Sequence, residues 1–220
     1  MTSILKVLVG SQAHGLATPE SDFDYRGVFI VPTQDILSLD TTVKQTNWIE
    51  GRDDDTSWEL SHFLKLATKC NPTILETFLS PVIESTEDGQ RLRDIFPHVW
   101  NSVDVRNAFI GYGLNQRKKM LEDKDGKSAK FAVAYLRTLL NAAELLQTGT
   151  FTIRVGDMDH GLGDMFKRIK AGNFEYGYII DTTRKWEKVV RDAFDQNPDK
   201  KTDMVAVNEF LLDMRKKYWV

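Results

Sequence analysis

Cysteine is nearly missing from this chain: Cys70 is the single one in 220 residues. That excludes an internal disulfide and fits a reducing compartment. Long apolar runs are missing too. The N-terminal run Ile4 to Val9 is six residues long and carries Lys6. A membrane span needs about 20 apolar residues, and the run is also too short for a signal-peptide core. The expectation is a cytoplasmic protein with no membrane partner. Excess positive charge is lacking: 29 Lys and Arg against 32 Asp and Glu leave a net charge of −3. This argues against strong nonspecific binding to nucleic acid, while leaving room for a local basic patch. The four histidines, His14, His62, His98 and His160, have no metal-ligand spacing. There is no internal repeat and no low-complexity segment.

What is present describes a folded domain with a real core: 41% apolar and 28% charged residues. The most informative segment is residues 10–27. Ile4-Leu5-Lys6-Val7-Leu8-Val9 reads as a buried strand. Gly10-Ser11 follows, and glycine there permits a sharp turn and close approach of a ligand. Turn amides of this kind suit phosphate. Phe23 to Val31 reads as a second strand. Side chains alternate along a strand, so Asp22 and Asp24 share a face. Neighbouring carboxylates repel unless a cation lies between them, and hard oxygen ligands suit Mg²⁺ carrying a nucleotide's phosphates. Taken singly, a Gly-Ser pair is an ordinary turn and Ser21-Asp22 an ordinary cap; the ordered combination carries the signal.

That combination resembles the Gly-Ser…Asp-x-Asp core of the DNA polymerase β-like nucleotidyltransferase superfamily. The longer string Gly10-Ser11-x-x-x-Gly15-Leu16-Ala17-Thr18-Pro19-x-Ser21-Asp22-x-Asp24-x-Arg26-Gly27-Val28 is similar to one bacterial and phage family of predicted nucleotidyltransferases, also described as RNA-repair-pathway polymerase-β-like proteins. Two further blocks match it. One runs from Trp58-Glu59-Leu60 through Cys70-Asn71-Pro72-Thr73 to Leu75-Glu76. The other takes in Lys130, Tyr135, Arg137, Leu139, Glu144-Leu145-Leu146 and Gly149. The resemblance implies an enzyme that moves NMP from an NTP to a hydroxyl, with Mg²⁺ or Mn²⁺ as cofactor. The acceptor is an RNA end, a protein side chain or a small molecule. A non-catalytic nucleotide-binding or antitoxin-like module on the same fold is the alternative. Oligomeric state and base preference are not readable.

The resemblance also implies a third metal-binding carboxylate on a third strand. Asp53, Asp54, Asp55 and Glu59 are the choices; alignment of the Trp58-Glu59-Leu60 block favours Asp54. Metal ligands are then Asp22, Asp24 and Asp54, with Gly10, Ser11, Arg26, Lys130 and Arg137 on the nucleotide. Arg26 lies two residues past Asp24 on the same face, where it can pair with the carboxylates when metal is absent.

The fold expected is α+β: a small mixed sheet with flanking helices over residues 1–97, then a helical domain over 98–220. Residues 4–9, 23–31 and about 42–49 read as strands. Thr56-x-x-Glu59 fits a capping box, and Leu60, Phe63, Leu64 and Ala67 give the apolar stripe of a helix that Asn71-Pro72 stops. A short helix near Thr73 to Leu79 follows. Helices are expected over 105–122, 128–148, 162–171, 176–195 and 203–218, with Ser128 as N-cap and Gly149 as C-cap of the clearest. Phe151 to Val155 is a candidate extended segment. On the helix from Ser128, the residues Lys130, Arg137, Asn141 and Glu144 form one polar stripe. It is either a solvated face or a cationic wall over the nucleotide. Arg117-Lys118-Lys119, with Lys124 and Lys127, is a basic patch that an RNA backbone could follow.

Overall fold

The computed structural model describes residues 1–49 and 52–219, and side chains are described outside 47–55. The chain is mixed α+β, as expected. Strand β1 (Thr2–Val9) buries Ile4, Leu5, Val7 and Val9 and runs into a single helical turn, α1 (Gly10–Ala13). Strand β2 (Asp24–Ile30) returns antiparallel to it, with Val9 opposite Asp24 and Val7 opposite Arg26. After the short helix α2 (Thr33–Leu37) come β3 (Thr46–Ile49) and β4 (Arg52–Glu59). Strand β4 pairs parallel with β2, Arg26 opposite Thr56 and Phe29 opposite Glu59. The helices α3 (Leu60–Ala67) and α4 (Pro72–Leu79) lead to the edge strand β5 (Val82–Ser85). The sheet order is β3-β4-β2-β1-β5, with β2 and its fully buried Val28 and Ile30 at the centre.

Two short helices, α5 (Glu87–Asp94) and α6 (Phe96–Val99), connect to the helical half. There α7 (Ser102–Leu121) and α8 (Ser128–Thr148) form a hairpin. It is followed by α9 (Leu162–Lys170), α10 (Tyr176–Gln196) and α11 (Met204–Lys217). Helix α8 buries Ala132, Leu136, Leu139, Ala142 and Leu145 to within 1% exposure, the centre of an apolar cluster continuous with the sheet. Helix α11 crosses back to the N-terminal half. Arg215 donates to Glu59 at 2.6 Å, Lys217 and Tyr218 donate to the buried Asp88, and the Tyr218 carbonyl accepts from the Thr33 amide. Burial and the bond donated to Asp88 push the Tyr218 phenol up to about 12.

Several local expectations need correction. The third strand is shorter than 42–49, and the acid-rich segment before Trp58 is a strand. The strand pairs with β2 from Thr56 to Glu59 and with β3 at Arg52 and from Thr56 to Trp58, and these ladders extend it through the acid-rich stretch between. Thr56 therefore sits in β4, and Glu59 itself is the N-cap of α3, its carboxylate accepting from the Ser61 amide at 2.7 Å. Helix α8 starts as expected, but Ser128 is its first residue. The Ser128 hydroxyl donates to the Met120 carbonyl and so ties α8 to the end of α7. Gly149 ends α8 in the left-handed conformation, as its position implied. Phe151 to Val155 is not a strand. Phe151 and Ile153 are buried in the core, and one 3-10 turn, Val155–Asp157, follows.

Candidate active site

The end of β1 and the start of β2 meet at one point. Gly10 has φ +67°, and a Cβ placed on it would lie 2.2 Å from Oδ2 of Asp24. Only glycine lets the turn close over that carboxylate. The one-turn helix that follows is held by its own backbone, His14 N–H to the Gly10 carbonyl and Leu16 N–H to the Ser11 carbonyl. The turn is also fixed from the helical half: the Gly156 amide donates to the His14 carbonyl at 2.9 Å. A Cβ on Gly156 would come within 2.1 Å of the Gly15 carbonyl oxygen. The segment after α8 is thus docked on the Gly-Ser turn. Glu144 secures it by accepting from the Thr152 amide at 2.7 Å.

Gly10, Ser11, Asp22 and Asp24 line one side of a cleft of about 540 Å³. Across it stand residues of the helical half: Tyr112, Gln116 and Lys119 from α7, Lys130, Phe131 and Arg137 from α8, and Lys170 from the end of α9. Lys170 sits near both Lys130 and Asp24. Burial and the Lys130 charge lower its pKa, and Asp24 opposes that shift.

At the back of the cleft lies a buried ionic knot that the sequence did not disclose. Glu76, from α4, is 5% exposed. One of its oxygens accepts from Arg137 at 2.7 Å and lies 2.6 Å from Nε2 of His14; the other accepts from Arg26 at 2.9 Å. Arg26 also reaches the Thr73 carbonyl. Burial alone would push the Glu76 carboxyl up. The Arg137 guanidinium, the His14 hydrogen bond and Arg26 outweigh it and hold the group well below the usual carboxylate range. His14 is shifted the other way for a base: burial and the Arg137 charge lower its pKa against the pull of Glu76. It is held neutral, donating to the carboxylate. Arg137 keeps a buried Nε–H with no hydrogen-bond partner among the described residues.

The residues expected in the site therefore behave differently. Gly10, Ser11, Asp22, Asp24, Arg26, Lys130 and Arg137 all line the cleft. The Asp54 side chain lies outside the described residues, as do those of Asp53 and Asp55. Glu59, the other choice for a third carboxylate, is occupied by Ser61 and Arg215. The polar stripe of α8 divides. Lys130 and Arg137 face the cleft, Asn141 is buried, and Glu144 serves the following loop. Sequence reasoning missed Lys170, Gln116, Tyr112 and the role of Glu76. Glu76 stood inside a block that matched the family, which was the one available signal.

This constellation, a Gly-Ser turn and an Asp-x-Asp pair at one cleft of a mixed sheet, defines a polymerase-β-like protein. The sequence model of the RNA repair pathway DNA polymerase beta family matches residues 2–160, and the chain belongs to that family. Two relatives carry names without a function. An uncharacterized 38.9 kDa protein of Enterobacteria phage T4, from the nrdC-mobD intergenic region, is 29% identical over 139 residues. That match covers 54% of this chain and 39% of the phage protein. The uncharacterized protein YcgL of Bacillus subtilis (strain 168) is 22% identical over 233 residues, covering 96% of this chain and 88% of the relative. The chain thus spans well under half of the phage relative's length. Among the described residues no helix is long and apolar enough to cross a membrane.

Proposed function

We propose that the chain is a metal-dependent nucleotidyltransferase that moves NMP from an NTP to a hydroxyl acceptor. One observation carries this reading: the Gly10 turn closes directly on Asp24, in a cleft that sets carboxylates on the sheet against cations on the helices.

Asp22 and Asp24 line one wall of the cleft with the carboxylate oxygens that a hard divalent cation takes, and among the described residues no third ligand joins them. Those two would hold Mg²⁺ or Mn²⁺. Asp54 is the candidate for a third ligand. Arg26 pairs with Thr56 in parallel register, and two residues back along each strand come Asp24 and position 54. When bound, such ions neutralise charge at the attacking and leaving oxygens of an in-line displacement.

The chain's own residues supply the rest. Ser11 and the turn amides would hold the terminal phosphates. Lys130, Lys170 and the free Nε–H of Arg137 would face the triphosphate, where water-poor surroundings strengthen each charge-assisted bond. Asp54 would accept the proton of the acceptor hydroxyl. That oxygen bonds to the α-phosphorus, the α–β bridging bond breaks, and pyrophosphate leaves. Catalysis is then mainly positioning and charge neutralisation.

Calorimetry with ATP and GTP, with and without Mg²⁺, tests the reading. Binding should require the cation; equal binding in EDTA would mean a different kind of site.

A further inference from the structure

Gln116 is the anomaly of the cleft. It projects from α7, is 5% exposed, and lines the cavity opposite the Gly-Ser turn. Its side-chain amide has no hydrogen bond to any described residue. Its amide oxygen and nitrogen both open into the cleft, where a ligand can pair with them. Tyr112 lies one turn earlier on the same face of α7, and helical neighbours four residues apart stand side by side. Phe131, from α8, lines the same cleft, with the Lys119 ammonium of α7 5.6 Å from its ring centre. The amide therefore shares the cleft with two aromatic side chains.

An amide presents one donor and one acceptor side by side, and an aromatic ring presents a face. A nucleobase has the matching features: adjacent donor and acceptor on its edge, and a π-face for stacking. Phosphate fits poorly, since it offers acceptors alone and is provided for by the lysines and Arg137. We infer that Gln116 and Tyr112 form the base subsite of the cleft, Gln116 hydrogen-bonding the base edge and the Tyr112 ring covering its face. This rests on the nucleotidyltransferase reading and extends it by assigning nucleotide selectivity to the helical half. The base is that of the incoming NTP, because the subsite and the phosphate turn share one cavity.

The test compares NTPs with inorganic tripolyphosphate, which has the phosphates and no base. Mg²⁺-dependent affinities of both are measured by calorimetry for the wild type, Gln116→Leu, Gln116→Glu and Tyr112→Leu. The Leu variants should weaken NTP binding about tenfold, the scale of one lost bidentate base contact. They should leave tripolyphosphate affinity unchanged, which also shows that they are folded. Gln116→Glu, which removes the donor, should change the order of preference among the four NTPs. Unchanged NTP affinity and preference in all three variants, with tripolyphosphate still bound, would overturn the base subsite alone. Failure of the wild type to bind either ligand would overturn the subsite together with the functional reading beneath it.

Discussion

Arg137 of α8 donates to Glu76 of α4 at 2.7 Å, joining the helical half to the sheet half through a carboxylate that Arg26 and His14 also contact. The two guanidinium groups at the back of the cleft are fixed by this single acid. Removing it should matter more than its small size implies. Glu76→Gln leaves two half-buried guanidinium groups short of a counter-charge, and since breaking a fully buried pair by removing one partner costs about 3–5 kcal/mol, the loss should lie toward the lower end of that range. Urea denaturation should show a loss of that order, with a matching fall in NTP affinity as Arg137 loses its anchor.

The same knot sets an acid limit on stability. His14 has a lowered pKa in the fold, so the unfolded chain binds more protons once the pH falls below about 6.5, the ordinary histidine value. Stability should therefore decline below that pH. Glu76 has a depressed pKa as well, so its contribution is full above about 4.3 and is lost as the pH falls further through the folded value. Denaturation midpoints measured from pH 8 to pH 4 should fall in that sense. His14→Gln should remove the upper part of the slope and keep the lower.

Two glycines with positive φ separate a site effect from a backbone effect. A Cβ at Gly10 meets the Asp24 carboxylate, whereas one at Gly149 meets nothing within 4 Å. Both substitutions by Ala carry a left-handed backbone cost of about 1–2 kcal/mol. Only Gly10→Ala should also abolish Mg²⁺-dependent nucleotide binding. Melting curves and calorimetry on the pair check this.

Lys130 and Lys170 should act on the nucleotide through charge. Lys130→Ala or Lys170→Ala should raise KM for the NTP with little change in melting temperature, and the wild-type affinity should weaken as salt rises. Salt-independent affinity, or an unchanged KM in both variants, would remove them from the triphosphate.

How much of this was legible depends on distance along the chain. The Gly-Ser turn, Asp22 and Asp24 are local in sequence and all line the cleft, although β2 begins only at Asp24 and Asp22 precedes it. The apolar stripe Leu60, Phe63, Leu64, Ala67 and the Gly149 cap are local in the same sense, and each is found as read. The exchanges that failed were contests between local signal and pairing. The third expected strand, 42–49, is cut to Thr46–Ile49, and the strand that follows it is fixed by pairing of Thr56 to Glu59 with β2 rather than by local composition. Glu59 looks like the third residue of a capping box, yet it caps α3 itself and meets Arg215, 156 positions away. Glu76 was invisible for that reason: its partners His14, Arg26 and Arg137 lie 50 or more residues distant. Lys170 and Gln116 carry no local pattern, and only the packing of α7, α8 and α9 brings them to the cleft.

The central claim is tested most directly by label transfer. The protein is incubated with each α-labelled NTP, Mg²⁺ or Mn²⁺, and a mixed pool of RNA and protein acceptors, alongside Asp22→Asn and Asp24→Asn. The account predicts metal-dependent label on an acceptor with the wild type. It predicts none with either variant, although both remain folded. Transfer persisting at the wild-type rate in Asp24→Asn would contradict it.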